Sequence, residues 1–179
     1  MLNFLFRLLL TFNATSLILV VYLVKKRFVL GNIYSKLCFL PNGLSYLIYF
    51  FIPILLTSLS LFIAKALDSD NMEVGDIKKI EQANNAFLPS YLGYFFVALS
   101  IPYCETLFYV FAILFVFTFL SQTLYFNPLF LFFRYNFYYL TTQNNIIIFI
   151  ITKKKLKDPS KLSFLTLKRI NNFTFIDKK

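Results

Sequence analysis

The chain has 179 residues, of which 59% are hydrophobic and 21% aromatic, with a mean hydropathy of +0.69 and a formal net charge of +10. Soluble domains are nearer half apolar, and a chain of this length leaves much of its surface exposed even when compact, so lipid has to be part of the solvent. Histidine is absent and the two cysteines, Cys38 and Cys104, stand far apart, which leaves no His-activated nucleophile, no disulfide framework and no zinc site.

In chain order, the first apolar stretch runs from Leu8 to Val24 and ends at Lys25-Lys26-Arg27. It is long enough for a slightly short transmembrane helix, and with bases rather than small residues after it, it predicts an uncleaved anchor and not a signal peptide. The second span, Leu44 to Ala64, holds no charge and has Pro53 at its centre. A proline there kinks the helix and leaves a carbonyl to be satisfied by neighbours; Thr57 and Ser58 are at hand for helix contacts. Pro53 is read as a packing kink, with a gating hinge as the sharper alternative.

Residues 65–86 form a polar loop carrying Asp68, Asp70, Glu73, Asp76 and Glu81 against Lys78 and Lys79. One or two helical turns are expected over 76–84, with Asn84 or Asn85 capping the next helix. The third and fourth spans, 87–101 and 107–124, form a hairpin about Pro102-Tyr103-Cys104-Glu105, because their combined length is too great for one crossing. Gly93 lies inside the third span and marks a close helix approach. The phenylalanines of the fourth, Phe108, Phe111, Phe115, Phe117 and Phe119, predict a lipid or helix contact. Cys38 and Cys104 are expected to be small apolar residues near membrane boundaries.

Four spans put both termini on one side. With the termini inside, fourteen basic residues are cytoplasmic and four, Lys25, Lys26, Arg27 and Lys36, are outside, which the basic-residue rule favours. The position of Lys25-Lys26-Arg27 directly after the first span argues locally the other way.

After Asn127-Pro128 the pattern changes to aromatic and β-branched runs over 135–141 and 146–152, with a turn at Gln143-Asn144-Asn145. Leu162 to Ile170 reads as a third strand after a turn at 157–160, and Phe173 to Ile176 as a fourth. The fold class predicted is therefore a mainly α membrane protein: a four-helix transmembrane domain, 1–127, followed by a basic, cytoplasmic, antiparallel β-rich tail, 128–179. Such a sheet is marginal alone, and its exposed edges would accept a partner.

Ten of the eighteen basic residues lie from Arg134 onward. Lys153, Lys154, Lys155 and Lys157, with Lys161, Lys168 and Arg169, are the candidate residues for lipid contact or partner docking. Three readings stand, in order of preference: an orientation signal on anionic lipid, a protein docking surface, and unspecific phosphate attraction to DNA. Direct nucleic-acid binding is not expected, because no nucleic-acid fold signature accompanies the charge. The four glycines, Gly31, Gly43, Gly75 and Gly93, are too scattered for a phosphate loop, and no paired carboxylates lie within a span. No catalytic, cofactor or metal residues are assigned, and the chain is not read as an enzyme.

The run from Lys79 through Asn84-Asn85-Ala86-Phe87-Leu88-Pro89 to Ile101 resembles the KwaA family, the membrane subunits of Kiwa anti-phage defence systems. Asn127-Pro128-Leu129-Phe130, Tyr135-Asn136-Phe137-Tyr138 and Arg169-Ile170-Asn171-Asn172-Phe173-Thr174 resemble further family segments. The resemblance implies a bacterial inner-membrane protein that assembles as a homo-oligomer, such as a tetramer, and works with a soluble DNA-binding partner subunit, KwaB. It implies sensing of infection at the envelope while the partner acts on phage DNA, and it transfers no functional residue. Together these observations predict a membrane sensor and scaffold in which Pro53 and Gly93 are the hinge or packing candidates. The alternatives are an oligomeric pore-forming effector and a structural subunit of another membrane complex.

Overall fold

A computed structural model of the chain describes residues 2–32, 34, 37, 39–121 and 127–178. Cys38, Lys36 and the predicted end of the fourth span at Leu124 lie outside the described residues. The helices are α1 (Leu2–Lys25), α2 (Asn42–Ile63, extended by a 3₁₀ turn over Ala64–Ala66), α3 (Leu88–Ser100), α4 (Cys104–Ser121) and the short α5 (Leu129–Phe132). Between and after them lie strands β1 (Ser69–Met72), β2 (Ile77–Gln82), β3 (Asn136–Thr142), β4 (Ile147–Thr152), β5 (Phe164–Arg169) and β6 (Thr174–Asp177).

Helix α1 packs on α2, α3 and α4 and is the centre of the bundle. Its middle, Asn13 to Ile18, is buried on every side. Small polar residues permit this close approach, and their hydroxyls are satisfied locally: Thr15 donates to the Thr11 carbonyl at 3.0 Å and Ser16 to the Asn13 carbonyl at 2.8 Å. α1 starts earlier than expected, at Leu2, because Phe6 and Leu10 continue its buried stripe onto the sheet.

Among the described residues, three helices are long and apolar enough to cross a membrane: Asn3–Lys25, Asn42–Ala66 and Cys104–Ser121. The expected third span is shorter. Its 13 residues rise about 20 Å, less than the roughly 30 Å of a hydrocarbon core, because Pro89 opens it and Pro102 follows its end. Even so, α3 runs parallel to α1 along its length: the Tyr91 hydroxyl donates to the Ala14 carbonyl at 2.8 Å, and Lys25 Nζ donates to the Ile101 carbonyl at 2.9 Å. Asn3 Nδ2 reaches Asp68 Oδ2 at 3.2 Å and Lys178 Nζ reaches the Leu61 carbonyl, so the two ends of the described chain share the end of the bundle that carries the sheet.

The six strands are ordered β1-β5-β6-β4-β3-β2. Two corrections follow. Residues 69–72 and 77–82 of the polar loop are strands, not a loop with helical turns, and they pair on the two outer strands of the tail; the expected open edges at β3 and β5 are thus covered. The sheet is also not purely antiparallel, because β6 inserts between β5 and β4 and runs parallel to β4. Asn84 caps no helix: its Oδ1 accepts from the Phe137 amide at 2.8 Å, tying the loop to β3.

β1 and β2 sit at opposite edges yet are joined by residues 73–76 alone. A flat sheet of that width would separate them by about 24 Å, whereas the link reaches at most about 17 Å. The sheet therefore curls on itself. Gly75 takes φ of +100° in this link, and Gln143 holds it from the β3–β4 turn by donating to the Gly75 carbonyl at 2.9 Å.

Alternation divides the sheet's side chains cleanly. Phe137, Phe149, Ile151 and Ile176 face the helices, against Phe6, Leu10, Leu61 and Phe130. Tyr138, Leu140, Ile148, Ile150 and Phe175 face the inside of the curl, with Phe164, Leu167 and Leu156. From Ile148 onward central strand β4 is buried on both faces, hence its unbroken run Ile148-Phe149-Ile150-Ile151.

Candidate functional site

The seven basic candidates do not form one patch. Lys168 Nζ donates to the Leu67 carbonyl at 2.8 Å and to Ser69 Oγ at 2.7 Å, and Arg169 pairs with Asp70 at 2.6 Å. Both fasten β5 to the segment leaving α2. Lys154 pairs with Asp177 at 3.1 Å; that carboxylate, 2% exposed, also accepts from Thr152 Oγ1 at 2.9 Å. Lys155 and Lys157 line an open polar groove with Gln82, Asn136 and Tyr138. Lys161 lies 3.9 Å from Asp158, whose carboxyl is held below its usual range first by Ser160 hydrogen bonds. Lys153 alone turns toward the helices, 5.0 Å from the Tyr135 ring centroid.

At that ring the chain brings together residues that are distant in sequence. Lys178 Nζ lies 5.8 Å from the same centroid and donates to the Leu61 carbonyl, in the last turn of α2. Lys65, one turn beyond Leu61, sits over the Phe62 ring at 5.5 Å. Burial, with repulsion from Lys65 and Lys153, lowers Lys178 to about 8. Burial, with Asp177 nearby, raises the Tyr135 hydroxyl. Sequence reasoning passed over Lys65 and Lys178; the signal was that Lys65 is the first charge after the long apolar run of α2.

A second feature is a chain of buried polar side chains between the helices and the start of the sheet. Asn127 Nδ2 donates to Thr57 Oγ1 at 3.1 Å, and Thr57 Oγ1 donates to the Pro53 carbonyl at 2.8 Å. Ser60 Oγ donates to the Thr57 carbonyl at 2.8 Å and accepts from Asn13 Nδ2 at 3.4 Å. Asn127 Oδ1 accepts from the Leu129 amide at 3.0 Å, which fixes the first turn of α5. Asn13, Thr57 and Ser60 are each 0% exposed and Asn127 1%. Buried polar side chains are costly unless they bond one another, and these do, with Asn13 Oδ1 the one buried oxygen among them left without a partner; the chain ties α1, α2 and the start of α5 together.

Pro53 is buried beside this chain and lines, with Phe12, Ser16 and Tyr49, an apolar groove of about 150 Å³ between α1 and α2. Of the two hydroxyl residues expected to make helix contacts, Thr57 instead bonds its own helix and Asn127, and Ser58 is exposed. Gly93 makes no close approach within the chain, since a Cβ added there meets nothing within 4 Å. The flanking Leu92 and Phe96 are exposed, so its face is open to lipid or to another molecule. Cys104 is exposed as well. Helix α4 has Leu107 as its one buried residue, with Phe108 and Phe117 on its outer surface.

The family model for anti-phage protein KwaA matches residues 6–176, which takes in the bundle, the polar chain and all six strands. No curated protein and no solved structure matches the chain. The chain thus belongs to the KwaA family and is a subunit of an anti-phage defence system.

Proposed function

We propose that the chain is the non-enzymatic membrane sensor and scaffold of a Kiwa-type complex. It lies in the bacterial inner membrane with both termini and the sheet in the cytoplasm, assembles with copies of itself, and recruits the soluble DNA-binding partner KwaB through the sheet. Envelope disturbance during phage entry alters helix packing, and the sheet passes the change to the partner. The observation that carries this reading is the Asn127–Thr57 bond with its extension to Asn13, a continuous polar link from two membrane-length helices to the first residues of the sheet region. A shift of α1 against α2 is passed through this chain to Asn127 and the first turn of α5.

The test is co-purification of the tagged full-length chain with the product of its neighbouring gene, in mild detergent, alongside phage protection in the same cells. Recovery of a soluble DNA-binding protein, weakened by charge changes at Lys155 and Lys157 in the polar groove beside Gln82 and Asn136, supports the scaffold. The second reading, a pore-forming effector, draws on α4, an apolar helix with Leu107 as its one buried residue. It predicts loss of membrane potential when the chain is expressed alone, with no protein recovered beside it.

A further inference from the structure

We propose that Lys65, Lys153 and Lys178, gathered at the C-terminal end of α2, form a binding site for a phosphate group, and that this phosphate is the headgroup of an anionic membrane lipid. The inference rests on reading α2 as membrane-spanning and names a ligand for the sheet-facing end of that helix.

The apolar run of α2 ends at Ala64, so Lys65 is the first charge at the sheet-facing end of the helix. Lys178 is brought to the same level by its bond to the Leu61 carbonyl, and Lys153 shares the Tyr135 ring with it. A helix C-terminus attracts cations, but with only about half a unit of negative charge, too little to balance three ammonium groups. No ion pair within 4 Å joins any of the three to a carboxylate among the described residues; Asp177, whose charge reaches Tyr135, is paired with Lys154. The mutual repulsion is strong enough to contribute to the depression of Lys178. Three cations with no ion-pair partner among the described residues, at the end of a membrane-length helix, match a phosphate; headgroups are the anions present there at high density.

The probe is phosphatidylglycerol, measured by native mass spectrometry on the full-length chain released from mixed phosphatidylglycerol and phosphatidylcholine nanodiscs. The expected result is selective retention of phosphatidylglycerol, each lysine near the surface contributing about fivefold in affinity and the K65Q/K153Q/K178Q variant losing on the order of a hundredfold. The control K155Q/K157Q removes charge from the polar groove and is expected to keep the lipid; K178Q alone keeps the test open should the triple variant fail to fold. Equal retention of both lipids, or loss of phosphatidylglycerol in the control as large as in the triple variant, overturns the site. Saturation by inorganic phosphate with no preference between lipids assigns the pocket to free phosphate and overturns the lipid assignment. If the chain is recovered in the soluble fraction without detergent, the membrane reading itself has failed; if it is membrane-bound yet unselective, only this inference has.

Discussion

Asn127 and Thr57, separated by 70 residues, meet through a buried 3.1 Å hydrogen bond that joins the first turn of the sheet region to the middle of a membrane-length helix. Removing one partner of a buried bond leaves the other unsatisfied, at a cost of about 1–3 kcal/mol. Asn127→Ala also strips the Leu129 amide of its cap. The expected outcome is a lower thermal midpoint for the detergent-purified protein and reduced phage protection at equal membrane abundance. A midpoint unchanged from the parent would show that the link carries no stability.

Pro53 and Gly93 predict opposite patterns. Pro53 is buried against α1, so Pro53→Ala, which restores a backbone donor and straightens α2, is expected to change helix packing and both stability and protection. Gly93 faces open space, so Gly93→Leu is expected to leave the single chain's stability within about 1 kcal/mol while blocking any contact between copies across that face. Crosslinking in membranes reads the second effect. Full crosslinking and full protection in Gly93→Leu would remove Gly93 from the mechanism.

A chain ended at Asn127 is expected to lose more than its tail. β1 and β2 pair only with β5 and β3, so truncation strands residues 69–82 without partners. Limited trypsin digestion is the measurement. Lys78 and Lys79 are expected to resist cleavage in the full chain and to be cut rapidly in the shortened one; equal resistance in both would contradict the pairing.

Those two strands also mark where the sequence stops being readable. The membrane-length helices announce themselves, because a long uncharged run has few solutions in water. The four tail strands are found to within a residue or two, since Tyr138, Leu140, Ile148 and Ile150 alternate with Phe137, Tyr139 and Phe149 between the two faces of the sheet. Ser69-Asp70-Asn71-Met72 and Ile77-Lys78-Lys79-Ile80-Glu81-Gln82 have no such alternation: they are edge strands held by backbone pairing to partners far along the chain, and local pattern carries no trace of that. The parallel placement of β6 is hidden for the same reason. The basic residues were visible, but their division into fasteners of β5, groove lining and the cluster at α2 depends on the curl of the sheet.

The Lys178 ammonium is lowered from 10.5 to about 8 by burial first, then by Lys65 and Lys153. Between those values the unfolded chain binds more protons than the folded one, so stability rises with pH across that window; below about 8 the penalty is fully present. Tyr135, raised by burial and Asp177, works in the opposite sense only above its ordinary 10.0, and the Asp177 carboxylate that reaches it is paired with Lys154. The expected outcome is a thermal midpoint that climbs as pH rises from about 8 toward 10 in zwitterionic detergent, with a flatter climb in Lys178→Met. Equal slopes in the two proteins would mean that Lys178 is not held against its charge. A phosphate bound among the three lysines would restore the Lys178 proton, so adding phosphatidylglycerol is expected to flatten the parent's climb to that of the variant.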